Sequence, residues 1–202
     1  KHGKYAGRLV QQYIGTDSAH NGYAYSVYSD DHGATWHAGN RIGNSFNENK
    51  VVELSDGRLM LNSRNWGDGV GRLIAISDDG GVTWKNQYLD TALVDPEVNA
   101  GITRMNPQAT SGKAAKELLF TNANNSPYNW QIDVDRKGQW INRITGNVRY
   151  SCDNGATWPV SRVYHYGPHA YSSVTALKDG TFAVAYETKT DKEIRVGTFG
   201  RE

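Results

Sequence analysis

Short segments in which apolar and polar residues alternate run through most of the chain. Residues 7–13 and 22–29 show this period of two, which is typical of half-buried β-strands. The turns Ser55-Asp56-Gly57 and Lys178-Asp179-Gly180 each separate two such segments and predict hairpins. Further strands are predicted at 50–54, 58–63, 73–77, 117–121, 147–151, 174–177, 181–186 and 194–199. No segment predicts a convincing helix, and 95–105 is compatible with one helical turn or with a strand.

One eight-residue motif, Ser-x-Asp-x-Gly-x-Thr-Trp, occurs three times, at 29–36, 77–84 and 151–158. Its Asp can accept hydrogen bonds from turn backbone, its Gly permits a positive φ, and its Trp can pack between adjacent sheets. Repeats spaced by tens of residues indicate stacked units of one supersecondary type. A hairpin, a strand, the motif and a further strand give four strands per unit, as in a β-propeller blade.

The interval between the second and third motif copies is longer than the first interval, and the excess lies at 126–142. This stretch is interpreted as an inserted hairpin with Trp130 and Trp140 on its arms. Two interpretations stay open: a surface excursion, or a loop that faces a ligand, because paired Trp side chains favour sugar or apolar surfaces.

Composition supports a sheet protein, with 12 Tyr, 6 Trp and 22 Gly in 202 residues. A formal net charge of +1 gives no electrostatic footprint for nucleic acid or an acidic membrane. No apolar run approaches the roughly 18 residues that span a bilayer. The single cysteine, Cys152, excludes an internal disulfide and a cysteine zinc cluster, and we expect it to be a packing residue.

No metal or other cofactor is expected. Among the six His residues, only His165 and His169 have a spacing of four, and the adjacent Gly167-Pro168 argues against the helix that would align them. We therefore interpret both as loop residues. No acidic loop has the spacing of calcium ligands.

The repeated motif resembles the Asp box of sialidases (neuraminidases), which also occurs in unrelated propeller proteins. Residues 47–54, then Asp56-Gly57, then 61–64, resemble the sialidase strand pair that carries a catalytic Glu and an Arg. Residues 170–177, followed by Asp179-Gly180, resemble the segment with the catalytic Tyr. Arg143, which precedes the third motif copy, matches the position of another family arginine.

The resemblance implies an exo-α-sialidase, a glycoside hydrolase that releases terminal sialic acid from sialylated glycans with retention of configuration. It assigns Tyr171 as the nucleophile and Glu48 as its base. Arg64 and Arg143 take two places in the arginine triad that binds the substrate carboxylate, with Arg149 left open as an alternative to Arg143. Trp130 and Trp140 are candidate substrate-facing residues.

The chemistry of sialic acid explains this set. Its anomeric carbon bears a carboxylate, which would repel a carboxylate nucleophile, and sialidases use Tyr instead. A phenol has a reference pKa near ~10 and needs a neighbouring base to become a good nucleophile. Arginines bind carboxylates through forked, charge-assisted hydrogen bonds.

The resemblance covers almost the whole chain and implies an all-β propeller of sialidase type. We expect an incomplete ring of roughly three and a half four-stranded blades, with residues 1–202 forming the C-terminal part of a single propeller domain. The early arginine and the aspartate acid/base of the family are not found, and neither Arg8 nor Asp17 is assigned to these roles. We therefore expect a missing N-terminal half and poor activity of the chain alone. The resemblance to secreted actinobacterial sialidases implies a secreted or cell-surface bacterial protein.

Three alternatives stay open. A non-catalytic Asp-box propeller could bind glycans without cleaving them. A trans-sialidase or an intramolecular trans-sialidase would use the same residues. An Asp-box glycosidase for neutral glucans would use paired carboxylates and would not need converging arginines.

Overall fold

The computed structural model describes residues 3–67, 70–124, 143–188 and 193–201. These residues are almost entirely β-structure, with one 3-10 turn (Gly3–Tyr5) and one short helix, α1 (Gly112–Lys116). The strands are β1 (Leu9–Thr16), β2 (Gly22–Ser29), β3 (His37–Ala38), β4 (Ile42–Asn44), β5 (Phe46–Glu53), β6 (Leu59–Asn65), β7 (Arg72–Ser77), β8 (Lys85–Asp90), β9 (Gly101–Arg104), β10 (Leu118–Ala123), β11 (Ile144–Ser151), β12 (Val160–Pro168), β13 (Ser172–Ala176), β14 (Phe182–Thr188) and β15 (Glu193–Phe199).

The chain divides into two compact units, Lys1–Asp90 and Thr91–Glu202. In the first unit, β1, β2 and β3 follow one another in an antiparallel sheet, and β4 also pairs with β2. The second sheet of this unit has the order β5-β6-β7-β8. Its core includes Phe46, Leu61 and Trp84, which pack with Ala24 and Ile42 from the first sheet.

The second unit contains a four-stranded sheet of order β12-β11-β10-β9 and a three-stranded sheet of order β13-β14-β15. Met105, Leu119 and Phe182 form a core cluster that joins these two sheets. Three of the four sheets are antiparallel meanders of consecutive strands, as in propeller blades, and in the first sheet β3 and β4 both pair with β2. The all-β propeller prediction is therefore confirmed. In the described ranges, three sheets of four strands and one of three agree with roughly three and a half blades.

The three motif copies form the same hydrogen-bonded turn. In the first copy, the Thr35 N–H and hydroxyl donate to Asp31 at 2.8 and 2.6 Å, and the Gly33 N–H donates to Ser29 Oγ at 2.8 Å. These Thr35 bonds, together with the Ser29 hydroxyl, hold the pKa of Asp31 well below its usual range. Gly33 has a φ of +92°, as the motif predicts.

The motif tryptophans differ in burial. Trp84 is 8% exposed and donates from Nε1 to Ser26 Oγ of the neighbouring sheet at 3.1 Å. Trp158 is also buried and packs against Phe120, a residue of its own sheet. Trp36 is 47% exposed, so packing between sheets holds for Trp84 and is wrong for Trp36.

Several elements do not follow the sequence predictions. Helix α1 was not predicted, and the ambiguous stretch 95–105 contains strand β9. Strand β12 includes His165, so the interpretation of that residue as a loop residue was wrong. Strands β8 and β12 follow the second and third motif copies, as the four-strand unit predicts, but no bounds were predicted for them. Most of their residues are exposed, and an exposed outer strand has no alternation of burial to detect. The predicted inserted hairpin at 126–142 lies outside the described residues.

Candidate active site

Glu48 lies on β5 where the strand departs from regular pairing. The register between β5 and β6 shifts between Phe46 and Asn49, and such bulges re-aim side chains. The Asn47 side chain accepts the Glu48 N–H at 2.7 Å, while the Asn47 N–H donates to Ser63 Oγ at 2.9 Å. The irregular backbone is therefore held by hydrogen bonds that fix the position of Glu48.

Arg64 extends from the neighbouring strand β6 towards Glu48. Its Nη1 donates to Glu48 Oε2 at 3.1 Å, and the exposed fractions of the two side chains are 15% and 21%. The Arg64 guanidinium also lies 5.9 Å from the ring centroid of Trp66, which is 61% exposed. The structure thus brings together two predicted site residues from separate strands, next to an exposed aromatic ring.

Arg143 and Tyr171 form a second pair. Arg143 directly precedes β11, Tyr171 directly precedes β13, and the Arg143 Cζ lies 5.8 Å from the centroid of the Tyr171 ring. Arg143 Nη2 donates to the Glu97 carbonyl at 2.8 Å. An arginine held over a tyrosine ring can bind an anion beside the phenol.

The backbone of Tyr171 is fixed by β14. The Tyr171 N–H donates to the Glu187 carboxylate at 3.2 Å, and the Glu187 N–H donates to the Tyr171 carbonyl at 3.0 Å. Sequence reasoning missed Glu187, because a lone Glu in a strand has no motif around it. Both main-chain polar groups of Tyr171, its N–H and its carbonyl, are therefore hydrogen-bonded to Glu187.

Two residues near Arg143 have strained backbone conformations. Glu97, whose carbonyl accepts the Arg143 bond, has a φ of +56°, and Thr145 has a φ of +63°. Positive φ is a genuine outlier for a β-branched residue such as Thr, and such strain is concentrated at functional sites. The strain is consistent with a backbone shaped to place Arg143.

Arg149, the alternative to Arg143, lies within β11. Its Nη2 donates to Asn124 Oδ1 at 3.2 Å, and it lines a cavity of about 710 Å³ together with apolar residues such as Val148 and Phe199. These contacts favour Arg143 for the site with Tyr171.

The four candidates are divided between the units: Glu48 and Arg64 belong to the first, and Arg143 and Tyr171 to the second. Trp130 and Trp140 lie outside the described residues. In the described part of the chain, no group of three or more His, Cys, Asp or Glu residues could hold a metal ion. No described helix is long and apolar enough to cross a membrane.

The antiparallel sheets and the repeated motif turns are those of a β-propeller protein. The sequence profile of the BNR repeat-like domain matches residues 4–191, and the chain belongs to that family. It is 46% identical to the sialidase of Micromonospora viridifaciens over 191 residues, which are 94% of this chain and 27% of that relative.

Solved structures give the same fold. The Hadza microbial sialidase Hz136 superposes with a TM-score of 0.79 at 28% identity, over 96% of this chain and 35% of that one. A Trypanosoma rangeli sialidase with 2,3-difluorosialic acid, described as a covalent intermediate, superposes with a TM-score of 0.67 at 22% identity, over 97% and 29% of the two chains. This chain therefore spans about a quarter to a third of the length of these relatives.

Proposed function

We propose that this chain supplies the nucleophile, its base and two carboxylate-binding arginines of a retaining exo-α-sialidase. The observation that carries the proposal is the Arg143–Tyr171 pair, a cation held over a phenol, in a chain similar to sialidases over nearly its whole length. Sialylated glycans are the proposed substrates, and the protein is proposed to be secreted. That residues 1–202 form part of a single propeller domain also stays a prediction.

The first step of the proposed reaction forms one bond and breaks one. The Tyr171 oxygen bonds to the anomeric carbon of sialic acid while the bond from that carbon to the glycan oxygen breaks. The phenolic proton passes to the Glu48 carboxylate, and the departing oxygen takes up a proton from solvent water. In the second step water attacks the same carbon and the bond to Tyr171 breaks. The Tyr171 oxygen recovers its proton from the Glu48 carboxyl group, and the attacking water releases one proton to solvent.

Arg64 and Arg143 have a separate task in this proposal. The substrate carboxylate is attached to the reacting carbon, so its position fixes the distance from that carbon to Tyr171. Guanidinium groups bind a carboxylate with two parallel hydrogen bonds, which orients it as well as attracting it. Binding at Arg143 would place the reacting carbon close to the phenol that Arg143 contacts.

We expect Arg143→Lys to raise KM for an aryl sialoside about tenfold, with a smaller change in kcat, because an ammonium group replaces a forked contact by a point charge. An aryl leaving group suits the assay, since it departs with little help from a general acid. The measurement is steady-state release of the aryl alcohol.

Arg149→Lys is the matched control, because it makes the same change in the same unit at a residue that donates to Asn124. Its KM should stay within about twofold of the wild type. Equal losses in the two variants, or a loss in Arg149→Lys alone, would contradict the assignment of Arg143. Hydrolysis of a neutral aryl glucoside in place of the sialoside would contradict the proposed substrate.

A further inference from the structure

A cluster of polar and aromatic side chains surrounds His169, which lies two residues before Tyr171; its other members are Tyr164, His165 and Tyr186. His169 is 1% exposed, and its Nε2 lies 2.6 Å from the hydroxyl of Tyr164 on β12. Its ring stacks on that of Tyr186 on β14, with centroids 5.2 Å apart and an interplanar angle of 13°. His165 also contacts this group, with its centroid 6.3 Å from that of His169. Strands of both sheets in the second unit thus meet at His169.

A separate pair of hydrogen bonds holds the residue on the other side of Tyr171. Ser172 directly follows Tyr171 and is buried. Ser172 Oγ donates to the Thr121 carbonyl at 2.9 Å and lies 3.1 Å from Thr121 Oγ1. The His169–Tyr164 pair therefore holds the backbone two residues before Tyr171, and the Ser172–Thr121 pair holds it one residue after.

The same cluster is linked to Arg143. The His169 N–H donates to the Arg143 carbonyl at 2.9 Å. Gly146, three residues after Arg143, packs so closely that a Cβ there would overlap the rings of His169 and Tyr164. A displacement of His169 or Tyr164 would therefore be transmitted to the segment around Gly146, because a well-packed interior has no void to absorb it.

We propose that His169 and Tyr164 are positioning residues, whose buried hydrogen bond sets the orientation of Tyr171 relative to Arg143. This proposal rests on the proposed function, in which Tyr171 is the nucleophile. Neither side chain is assigned a contact with substrate. Their effect would pass through the segment from His169 to Ser172, which carries the phenol.

The electrostatics of the cluster agree with a fixed, neutral hydrogen bond. Burial, and secondarily the nearby His165, lower the pKa of His169 to about 4, so its imidazole is neutral at neutral pH. Burial also raises the pKa of Tyr164, while the Ser172 hydroxyl opposes that shift. A neutral phenol can donate its hydroxyl hydrogen to the unprotonated nitrogen of a neutral imidazole, so this hydrogen bond buries no net charge.

The test uses 2,3-difluorosialic acid, which leaves a fluorosialosyl group on the nucleophile as fluoride departs. Tyr164→Phe removes one hydroxyl and keeps the ring. We expect its limiting rate of labelling at Tyr171 to fall about tenfold, because small misplacements of reacting groups carry large rate costs. The half-saturating concentration should stay within about twofold, since loss of the Tyr164 hydroxyl leaves in place the bonds of Arg143 to the Glu97 carbonyl and from the His169 N–H.

Tyr150→Phe is the matched control. It removes a hydroxyl that donates to Glu117 Oε1 at 2.9 Å in the same unit. We expect it to change the melting temperature without changing the labelling rate, whereas Tyr164→Phe changes the rate. Equal rates in the wild type and a folded Tyr164→Phe protein, or equal losses in the two variants, would overturn the positioning role.

A second pair of variants serves if Tyr164→Phe does not fold. His169→Phe keeps a ring against Tyr186 but has no partner for Tyr164, whereas the amide of His169→Gln can hydrogen-bond the Tyr164 hydroxyl. We expect His169→Gln to recover at least half of the rate that His169→Phe loses, and equal rates in the two would overturn the proposal. Wild-type protein that forms no adduct at Tyr171 would overturn the proposed function itself, and this inference with it.

Discussion

Replacing Tyr171 by Phe is expected to lower kcat/KM for an aryl sialoside by about a thousandfold or more, because the residue that forms the covalent bond is lost. The change removes one oxygen and keeps the ring that Arg143 contacts. Substrate binding should therefore change much less than turnover. Steady-state kinetics would show a collapse of kcat, and binding of free sialic acid, measured by calorimetry, would change by less than about threefold.

Tyr166→Phe is the control for this prediction. Tyr166 lies five residues before Tyr171 and is 81% exposed, so the same atom is removed from a solvated side chain. Its kcat/KM should match that of the wild type within about twofold. Turnover by Tyr171→Phe at the wild-type rate would remove the proposed mechanism.

Glu48→Gln is expected to lower kcat by about 10²–10⁴-fold at pH 7, the usual contribution of a general base. A phenol with the reference pKa of ~10 is ionised in only about one molecule in a thousand at that pH. The rate of the variant should therefore rise about tenfold per pH unit between pH 7 and 9. Wild-type protein should lack this slope, since Glu48 accepts the proton instead.

The control for this prediction is Glu53→Gln, which makes the same change on the same strand, β5. It should keep the wild-type pH profile. A Glu48→Gln protein with wild-type kcat, or with a reduced kcat that is flat above pH 7, would contradict the role of Glu48 as the base. The Arg64 contact with Glu48 makes KM a second readout, because Gln leaves that guanidinium without its carboxylate partner.

Much of the fold could be predicted from the sequence where local pattern and tertiary structure agree. Strand β2 matches its prediction from Gly22 to Ser29, and Leu54, Asp56 and Gly57 form the predicted hairpin turn. The motif turns could also be anticipated, because Ser29 and Asp31 bond to backbone only a few residues away. Local hydrogen bonds leave a local sequence signature.

The bounds and register of the outer strands could not be predicted in the same way. The residues of β8 from Lys85 to Leu89 are all exposed, so its register depends on pairing with β7 rather than on burial of one face. Helix α1 is only five residues long, and Ala115 is its only buried residue. Such elements are determined by the strands beside them and by the segments that they connect, and their own local sequence does not specify them.

The candidate site shows the same division. Glu48, Arg64, Arg143 and Tyr171 were found through motif resemblance, which records residue order and type. Glu187, Tyr164 and His169 were missed as candidate residues. The bond between Tyr171 and Glu187 exists only once strand β14 is in place, and no motif marks the contact between Tyr164 and His169, which is five residues further along the chain. The approach of Arg143 to the Tyr171 ring likewise depends on where β11 and β13 begin in the folded chain, not on the number of residues between Arg143 and Tyr171.

The position of the covalent adduct formed with 2,3-difluorosialic acid tests the central claim most directly. Trypsin should release residues 163–178, bounded by Arg162 and Lys178, as a peptide that contains Tyr164, Tyr166 and Tyr171. Fragmentation mass spectrometry of this peptide can assign the modified residue. The account predicts one fluorosialosyl group on Tyr171, formed much more slowly in Glu48→Gln protein. An adduct on a carboxylate or on another tyrosine, or no adduct in protein that binds the reagent, would contradict it.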